Sequence, residues 1–137
     1  MTDMTKTIQV FSGSVHPEIV DDIVESLGIG VGRVHLERFA NGEIYAQFLE
    51  TIRGADVFLV QSIAGEHLND ALMELMIMVD AAKRASARKI TAVIPHYAYG
   101  RQDRKAGPRE PITAKLVADL LQASGIDRVI TVDLHQG

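Results

Sequence analysis

Short β-branched runs alternate along this chain with segments of helical period, and that alternation constrains the fold more than any other feature. Strands separated by helices read as a parallel sheet covered by helices. The runs that read as strands are Thr7–Phe11, Val34–Phe39, Val57–Gln61, Ile90–Ile94 and Arg128–Val132. They give an α/β fold with a five-stranded parallel sheet. Glu43–Leu49 adds a short antiparallel or edge strand, joined to its predecessor by an Asn41-Gly42 turn.

Three helices are predicted between the strands. The first begins near Pro17, a residue suited to a first helical position, and runs to Leu27 with Gly28 as its stop; Ile19, Ile23 and Leu27 share one face. The longest, about Leu68–Ala85, sets Leu68, Leu72, Leu75, Met76 and Val79 at core spacing. Asp70 near its start and Lys83 and Arg84 near its end match the helix dipole. Met73, Met76 and Met78 in the same stretch read as core or interface filler. The last helix, Pro111–Ala123, is expected to bury Ile112, Leu116, Leu120 and Leu121 and to end at Gly125. At 137 residues the chain is one domain's worth of sequence, with no internal repeat, low-complexity tract or linker.

In an open parallel sheet the ligand crevice lies at the carboxyl ends of the strands. Here those ends read Ser12-Gly13-Ser14, Pro95-His96-Tyr97 and Asp133-Leu134-His135, so three polar tips converge. The second leads into a basic stretch, Pro95–Arg109, where Arg101, Arg104, Lys105 and Arg109 stand against Asp103 alone. That stretch carries a net +3 on a chain of net −4, leaving −7 for the remainder. A cationic loop on an acidic body suits a small polyanion and argues against a broad nucleic-acid face. A solvated charged loop is the bland reading of the same residues. Hydrophobic residues at 47% with charged residues at 23% describe a soluble globular protein, and no apolar run reaches the roughly 20 residues of a membrane span. Without cysteine there is no disulfide framework, thiol nucleophile or thiolate metal site. The first six residues hold no apolar signal core, and the chain reads as cytoplasmic.

Gly28-Ile29-Gly30-Val31-Gly32 looks like part of a dinucleotide fingerprint, but it follows a helix and precedes a strand. A fingerprint requires strand, glycines, then helix, so these glycines close a helix and turn the chain instead. No Walker-type phosphate loop is present. His135 beside Asp133 at a strand tip has the chemistry of a divalent-metal ligand. His16 and His67 read as helix-start residues and His35 as an outward strand residue. His96, next to a strand end, fits ligand contact and an inert loop position equally well.

Phe39–Glu43 (F-A-N-G-E), Arg53–Ser62 (R-G-A-D-V-F-L-V-Q-S), Asn69–Leu75 (N-D-A-L-M-E-L), Tyr99–Lys105 (Y-G-R-Q-D-R-K) and Val132–His135 (V-D-L-H) together resemble the ribose-phosphate pyrophosphokinase family, in order and at matching spacing over nearly the whole chain. The resemblance implies a phosphoribosyltransferase type I-like fold. The implied activity transfers the β,γ-diphosphoryl group of MgATP to the anomeric hydroxyl of ribose 5-phosphate, giving phosphoribosyl diphosphate and AMP. Positioning and charge neutralisation by Mg²⁺, Arg and Lys suffice for such chemistry, and no covalent nucleophile is needed.

Carried over residue by residue, the resemblance implies that Arg101 and Gln102 contact ATP and that His135 helps hold Mg²⁺ at its phosphates. Phe39, Asn41 and Glu43 match the family's adenine-binding loop, which reaches into a neighbouring subunit, so a homo-oligomer, dimer or hexamer, is implied. Arg53, Lys105 and Arg109 match positions of a regulatory phosphate and ADP site between subunits. Two departures stand out: His96 replaces a common aromatic residue, and Ala106-Gly107 replaces an acidic position. The resemblance also implies a second, similarly folded domain with the ribose-5-phosphate loop and a mobile loop with catalytic Lys and Arg. Neither is found in residues 1–137, which therefore read as a single N-terminal domain without catalytic residues of its own, expected to be inactive alone. The alternative is a non-catalytic nucleotide- or phosphate-binding regulatory or oligomerisation module of the same family.

Overall fold

The computed structural model describes residues 7–102, 104–105 and 107–131. Strands β1 (Ile8–Ser12), β4 (Asp56–Val60), β5 (Lys89–Ile94) and β6 (Arg128–Thr131) form one parallel sheet in the order β1-β4-β5-β6. Register runs from Ile8 opposite Asp56 to Ser12 opposite Val60, from Asp56 opposite Lys89, and from Thr91 opposite Arg128. Helices α1 (Glu18–Leu27), α2 (Leu68–Arg84) and α3 (Thr113–Ser124) flank it.

The sheet has four described strands where the sequence suggested five. The Val34–Phe39 run does not join it: β2 (Val34–Arg38) pairs antiparallel with β3 (Ile44–Phe48) as a separate two-stranded sheet, Val34 opposite Phe48 and Arg38 opposite Ile44. The reason is patterning. An inner parallel strand is apolar on both faces, as in the near-continuous burial of β4 and β5, whereas β2 and β3 alternate half-buried and exposed residues. Gly42, at φ +94°, then lets the chain reverse immediately, as the Asn41-Gly42 pair predicts. Val34, Leu36, Ala46 and Phe48 point inward, and the Phe48 ring meets Phe11 edge to face at 4.7 Å.

Two helix faces differ from expectation by one residue. Helix α1 buries Val20 and Val24 against Val10 and Val60, while Ile19 and Ile23 are half-buried flanks and Leu27 is 53% exposed. Helix α3 buries Val117 and, as expected, Leu121, but leaves Leu116 and Leu120 on its outer side, Leu116 at 53%, with Ile112 exposed just before it. Each helix carries two adjacent apolar rows, about 100° apart, and packing against the sheet selects between them. Helix α2 follows the predicted face: Leu72, Leu75 and Val79 are buried with Met78, Leu68 and Met76 are half-buried, and Met73 is exposed. No helix among the described residues is long and apolar enough to cross a membrane.

The glycine cluster behaves as a stop and a turn. Gly28 ends α1 at φ +70°, and Gly32 donates its N–H to the Val10 carbonyl at 2.8 Å, covering the outer edge of β1. A Cβ at Gly32 would lie 2.4 Å from the Phe11 ring, whereas one at Gly30 meets nothing. Gly32→Ala is expected to lower stability by about 1–3 kcal/mol through forced displacement of Phe11, with Gly30→Ala close to neutral. Urea unfolding of the two variants checks this, and equal midpoints would disprove the close approach.

Candidate functional site

The tip of β1 turns inward. Ser14 donates its backbone N–H to Glu74 Oε2 at 2.8 Å and its hydroxyl to Oε1 at 2.9 Å, and the Val15 N–H reaches Gln61 Oε1 at 3.0 Å. Gln61 in turn donates Nε2–H to Glu74 Oε2 at 2.5 Å and to the Ala71 carbonyl at 3.3 Å. Gln61 and Glu74 are buried. Ser12-Gly13-Ser14 is thus a strut between β1, β4 and α2, with its Ser14 hydroxyl committed to Glu74. A single Glu inside the apolar run L-M-E-L-M was the sequence signal for it, and a lone helix carboxylate reads by default as surface.

The tips of β4 and β5 are laced together. Ile63 donates its N–H to the His96 carbonyl at 2.7 Å and accepts from Ala98 at 2.8 Å. The chain then makes a short 3-10 turn, Ala98–Arg101. Gln102 closes it through an N–H to the Tyr99 carbonyl at 2.9 Å, and the Gln102 carbonyl accepts from Ala114 at the start of α3, also at 2.9 Å. Arg101, Gln102, Arg104, Lys105 and Arg109 are all exposed, and none of these four cations makes an ion pair among the described residues. The cationic loop therefore stands at the carboxyl end of β5. His96 is half-buried, and its ring lies against that of His16, just ahead of α1.

Phe39, Asn41 and Glu43 sit on a different element, the tip of the β2–β3 hairpin. Phe39 is 43% exposed and leans on Tyr45 with ring centroids 6.0 Å apart. Asn41 Nδ2 donates to Glu43 Oε1, and the Glu43 N–H returns to Asn41 Oδ1 at 3.0 Å. No hydrogen bond or ion pair joins this tip to Arg101 or Gln102 among the described residues. Both segments are instead fastened to the first turn of α2: Arg38 pairs with Asp70 at 3.3 Å, and the Tyr99 hydroxyl donates to Asn69 Oδ1. An open cleft lined by Glu66, His67, Asn69, Asp70 and Tyr99 lies along that turn. From sequence Asp70 read only as a helix-dipole charge, Asn69 and Tyr99 only as the first residues of two motifs, and Arg38 as a strand residue, because nothing in their spacing shows that α2 is a common post.

Asp133 and His135 lie outside the described residues. Arg53 lies before β4 and the Lys105–Arg109 region after β5; since these strands are parallel, the two groups occupy opposite ends of the sheet, roughly 17 Å apart along a five-residue strand. Arg53 lines its own cleft of about 410 Å³ with Gln47, Glu50, Thr51 and Ala85.

The Arg38–Asp70 pair is half-exposed, a class worth about 0–1 kcal/mol. Asp70→Asn is therefore expected to leave the unfolding midpoint almost unchanged while speeding amide exchange at Asn41–Glu43 severalfold. Unaltered exchange would mean that β2–β3 pairing alone holds the tip. The Tyr97 hydroxyl, whose pKa is raised above its ordinary 10 by burial and then by Tyr99, points to a second outcome. A raised phenol keeps its proton longer in the fold than in the unfolded chain, so its contribution is intact below pH 10 and is lost as pH rises through the folded value. Unfolding midpoints followed from pH 9 to 11 should fall less steeply in Tyr97→Phe than in the parent chain.

Residues 8–125 match the model of the N-terminal domain of ribose phosphate pyrophosphokinase. A ribose-phosphate pyrophosphokinase of Clostridium perfringens is 55% identical over 135 residues, covering 98% of this chain and 42% of the relative. One from Wolinella succinogenes is 57% identical over 129 residues, covering 94% and 41%. The crystal structure of phosphoribosylpyrophosphate synthetase from Mycobacterium smegmatis superposes with a TM-score of 0.90 at 49% identity, covering 96% of this chain and 44% of that one. The chain spans less than half the length of the relatives it matches. With β1, β4, β5, the hairpin and the cationic loop all inside residues 8–125, the chain belongs to the ribose-phosphate pyrophosphokinase family and corresponds to its N-terminal domain.

Proposed function

We propose that this chain supplies the ATP-binding half of a ribose-phosphate diphosphokinase, which moves the β,γ-diphosphoryl group of MgATP to the 1-hydroxyl of ribose 5-phosphate and releases AMP. The observation that carries the reading is the Asn41–Glu43 pair. Asn41 spends its Oδ1 on the Glu43 N–H and one Nδ2–H on Glu43 Oε1, leaving one amide N–H donor and one carboxylate oxygen. An adenine edge offers the complementary set, a ring-nitrogen acceptor beside the N6 amino donor. Phe39, exposed next to this pair, supplies a stacking face.

In this reading Arg101 donates two parallel N–H groups to phosphate oxygens, with the Gln102 amide beside it; both are exposed, which supports the role. The 3-10 turn and the bond to Ala114 fix their backbone, so little ordering remains to be done on binding. His135 is assigned to Mg²⁺. An ion that arrives on the nucleotide's phosphates keeps several waters and needs few protein ligands. Bound there, it neutralises phosphate charge. The adenine loop and Arg101 occupy separate elements, which supports a site shared between neighbouring copies in a homo-oligomer.

Arg53 and the Lys105–Arg109 pair belong, in this reading, to a regulatory phosphate or ADP site. Because they stand at opposite ends of the sheet, the site forms only where one copy's Arg53 meets another's basic loop. The 137 residues alone bind nucleotide without completing the transfer, since they span only about 42% of the relatives' length.

Isothermal titration of the purified chain with MgATP, with its mass in solution measured on the same sample, tests the proposal. Saturable binding by an oligomer is expected, weakened about ten- to a hundredfold in Arg101→Ala and in Phe39→Ala, with His135→Ala also weaker. GTP should bind more weakly than ATP, because guanine presents the opposite donor–acceptor order to Asn41 and Glu43. AMP release dependent on ribose 5-phosphate by this chain alone, or equal affinity for ATP and GTP, would overturn the corresponding part of the reading.

A further inference from the structure

His16 and His96 come from two different strand ends, the loop after β1 and the loop after β5, yet their rings meet with centroids 5.6 Å apart and planes at 76°. Neither imidazole has a hydrogen-bond partner among the described residues, where the single imidazole hydrogen bond is that of His35 to Glu37. Their backbones are held firmly. Ser14 and Val15, immediately before His16, are tied to Glu74 and Gln61, the His16 carbonyl accepts from Ile19, and the His96 carbonyl accepts from Ile63 at 2.7 Å. His16 moreover sits at φ +54°, a left-handed conformation that non-glycine residues adopt at a cost and that surrounding bonds must sustain. Two unpartnered ring donors are thus brought together on fixed supports.

We propose that His16 and His96 form a two-histidine site for a borderline-soft divalent cation of the Zn²⁺, Co²⁺ or Ni²⁺ class. A tetrahedral ion bound by one nitrogen of each ring at about 2.0–2.1 Å sets the two centroids roughly 5 Å apart. The observed centroid separation of 5.6 Å is close to that, and the two edge-to-face rings turn on binding so that one nitrogen of each faces the ion. Imidazole suits these ions, whereas Mg²⁺ and Ca²⁺ prefer oxygen, so the site is chemically separate from any magnesium carried by a nucleotide. With two protein ligands, the remaining positions fall to water or to an anion entering the crevice at this edge of the sheet.

Zinc titration of the purified chain, in the presence of excess Mg²⁺, tests the assignment, with Co²⁺ absorption and the imidazole nitrogen shifts in NMR as spectroscopic readouts. His16→Asn is the suitable variant at the first position, because Asn tolerates the left-handed conformation; His96→Asn serves at the second, and circular dichroism confirms that both fold. The expected result is one Zn²⁺ per chain, undisplaced by Mg²⁺, bound at least about tenfold more weakly by each variant, with shifts at His16 and His96 and none at His67. Zinc affinity unchanged in both folded variants, or shifts confined to His35 or His135, would overturn the proposal and leave the pair as an aromatic contact. Magnesium-dependent nucleotide binding is read in a separate titration, so neither proposal stands or falls with the other.

Discussion

Glu74 is a carboxylate buried in the middle of α2, and no ion pair reaches it among the described residues. Its compensation comes from aimed hydrogen bonds: the Ser14 N–H and hydroxyl and the Gln61 amide. Burying a charge without such partners costs several kcal/mol, and losing one donor leaves the rest of that cost in place. The network is therefore all-or-none. It joins the end of β1, the end of β4 and the face of α2 at one point. Gly13 shows how tight the junction is: a Cβ there would fall 2.3 Å from Gln61 Oε1.

From that point the two ends of the sheet divide their work. The amino end is closed by structural charge pairing. Arg88 makes a two-point contact with Asp56 at 2.8 and 3.0 Å, and Asp127 accepts the Ile90 N–H at 2.8 Å. Among the described residues, the cations of the loop after β5 make no ion pair, and the main chain there is held by backbone hydrogen bonds. A charge held by a fixed backbone but not by a counter-charge is available to an anionic ligand without first breaking a bond. The same contrast explains why Arg88 and Arg101, which flank the two ends of β5, carry different readings.

The α/β class was legible because period-2 and period-3.6 apolarity differ sharply, and the hairpin was legible in Asn41-Gly42, whose turn chemistry is local. Strand number was not: Val34–Phe39 has the composition of a parallel strand, and only its alternating His35 and Glu37 mark it as one-faced. The inward rows of α1 and α3 were missed for a related reason. Ile19-Val20 and Leu116-Val117 are adjacent apolar pairs, and choosing between neighbours 100° apart requires the partner surface. The polar strand tips and the basic loop could be read directly from residue type and position. The roles of Glu74, Asn69 and Asp70 could not, because each depends on contacts with residues 30 to 60 positions away along the chain.

That dependence bears on how the hairpin tip and the 3-10 turn are arranged. Arg38–Asp70 and Tyr99–Asn69 attach the hairpin tip and the 3-10 turn to consecutive residues of α2, each by one half-exposed or exposed contact. Single contacts of this kind fix direction more than they add stability. Helix α2 itself is immobilised by Leu75, Met78, Val79 and Glu74, all inside the core or the buried network. The β2–β3 hairpin also packs Leu36, Ala46 and Phe48 on the core, and the 3-10 turn is held by Tyr99 packing and by the Gln102–Ala114 bond. The two exposed contacts to α2 therefore orient elements that are already held, which is why an ion pair of little stability suffices at that position.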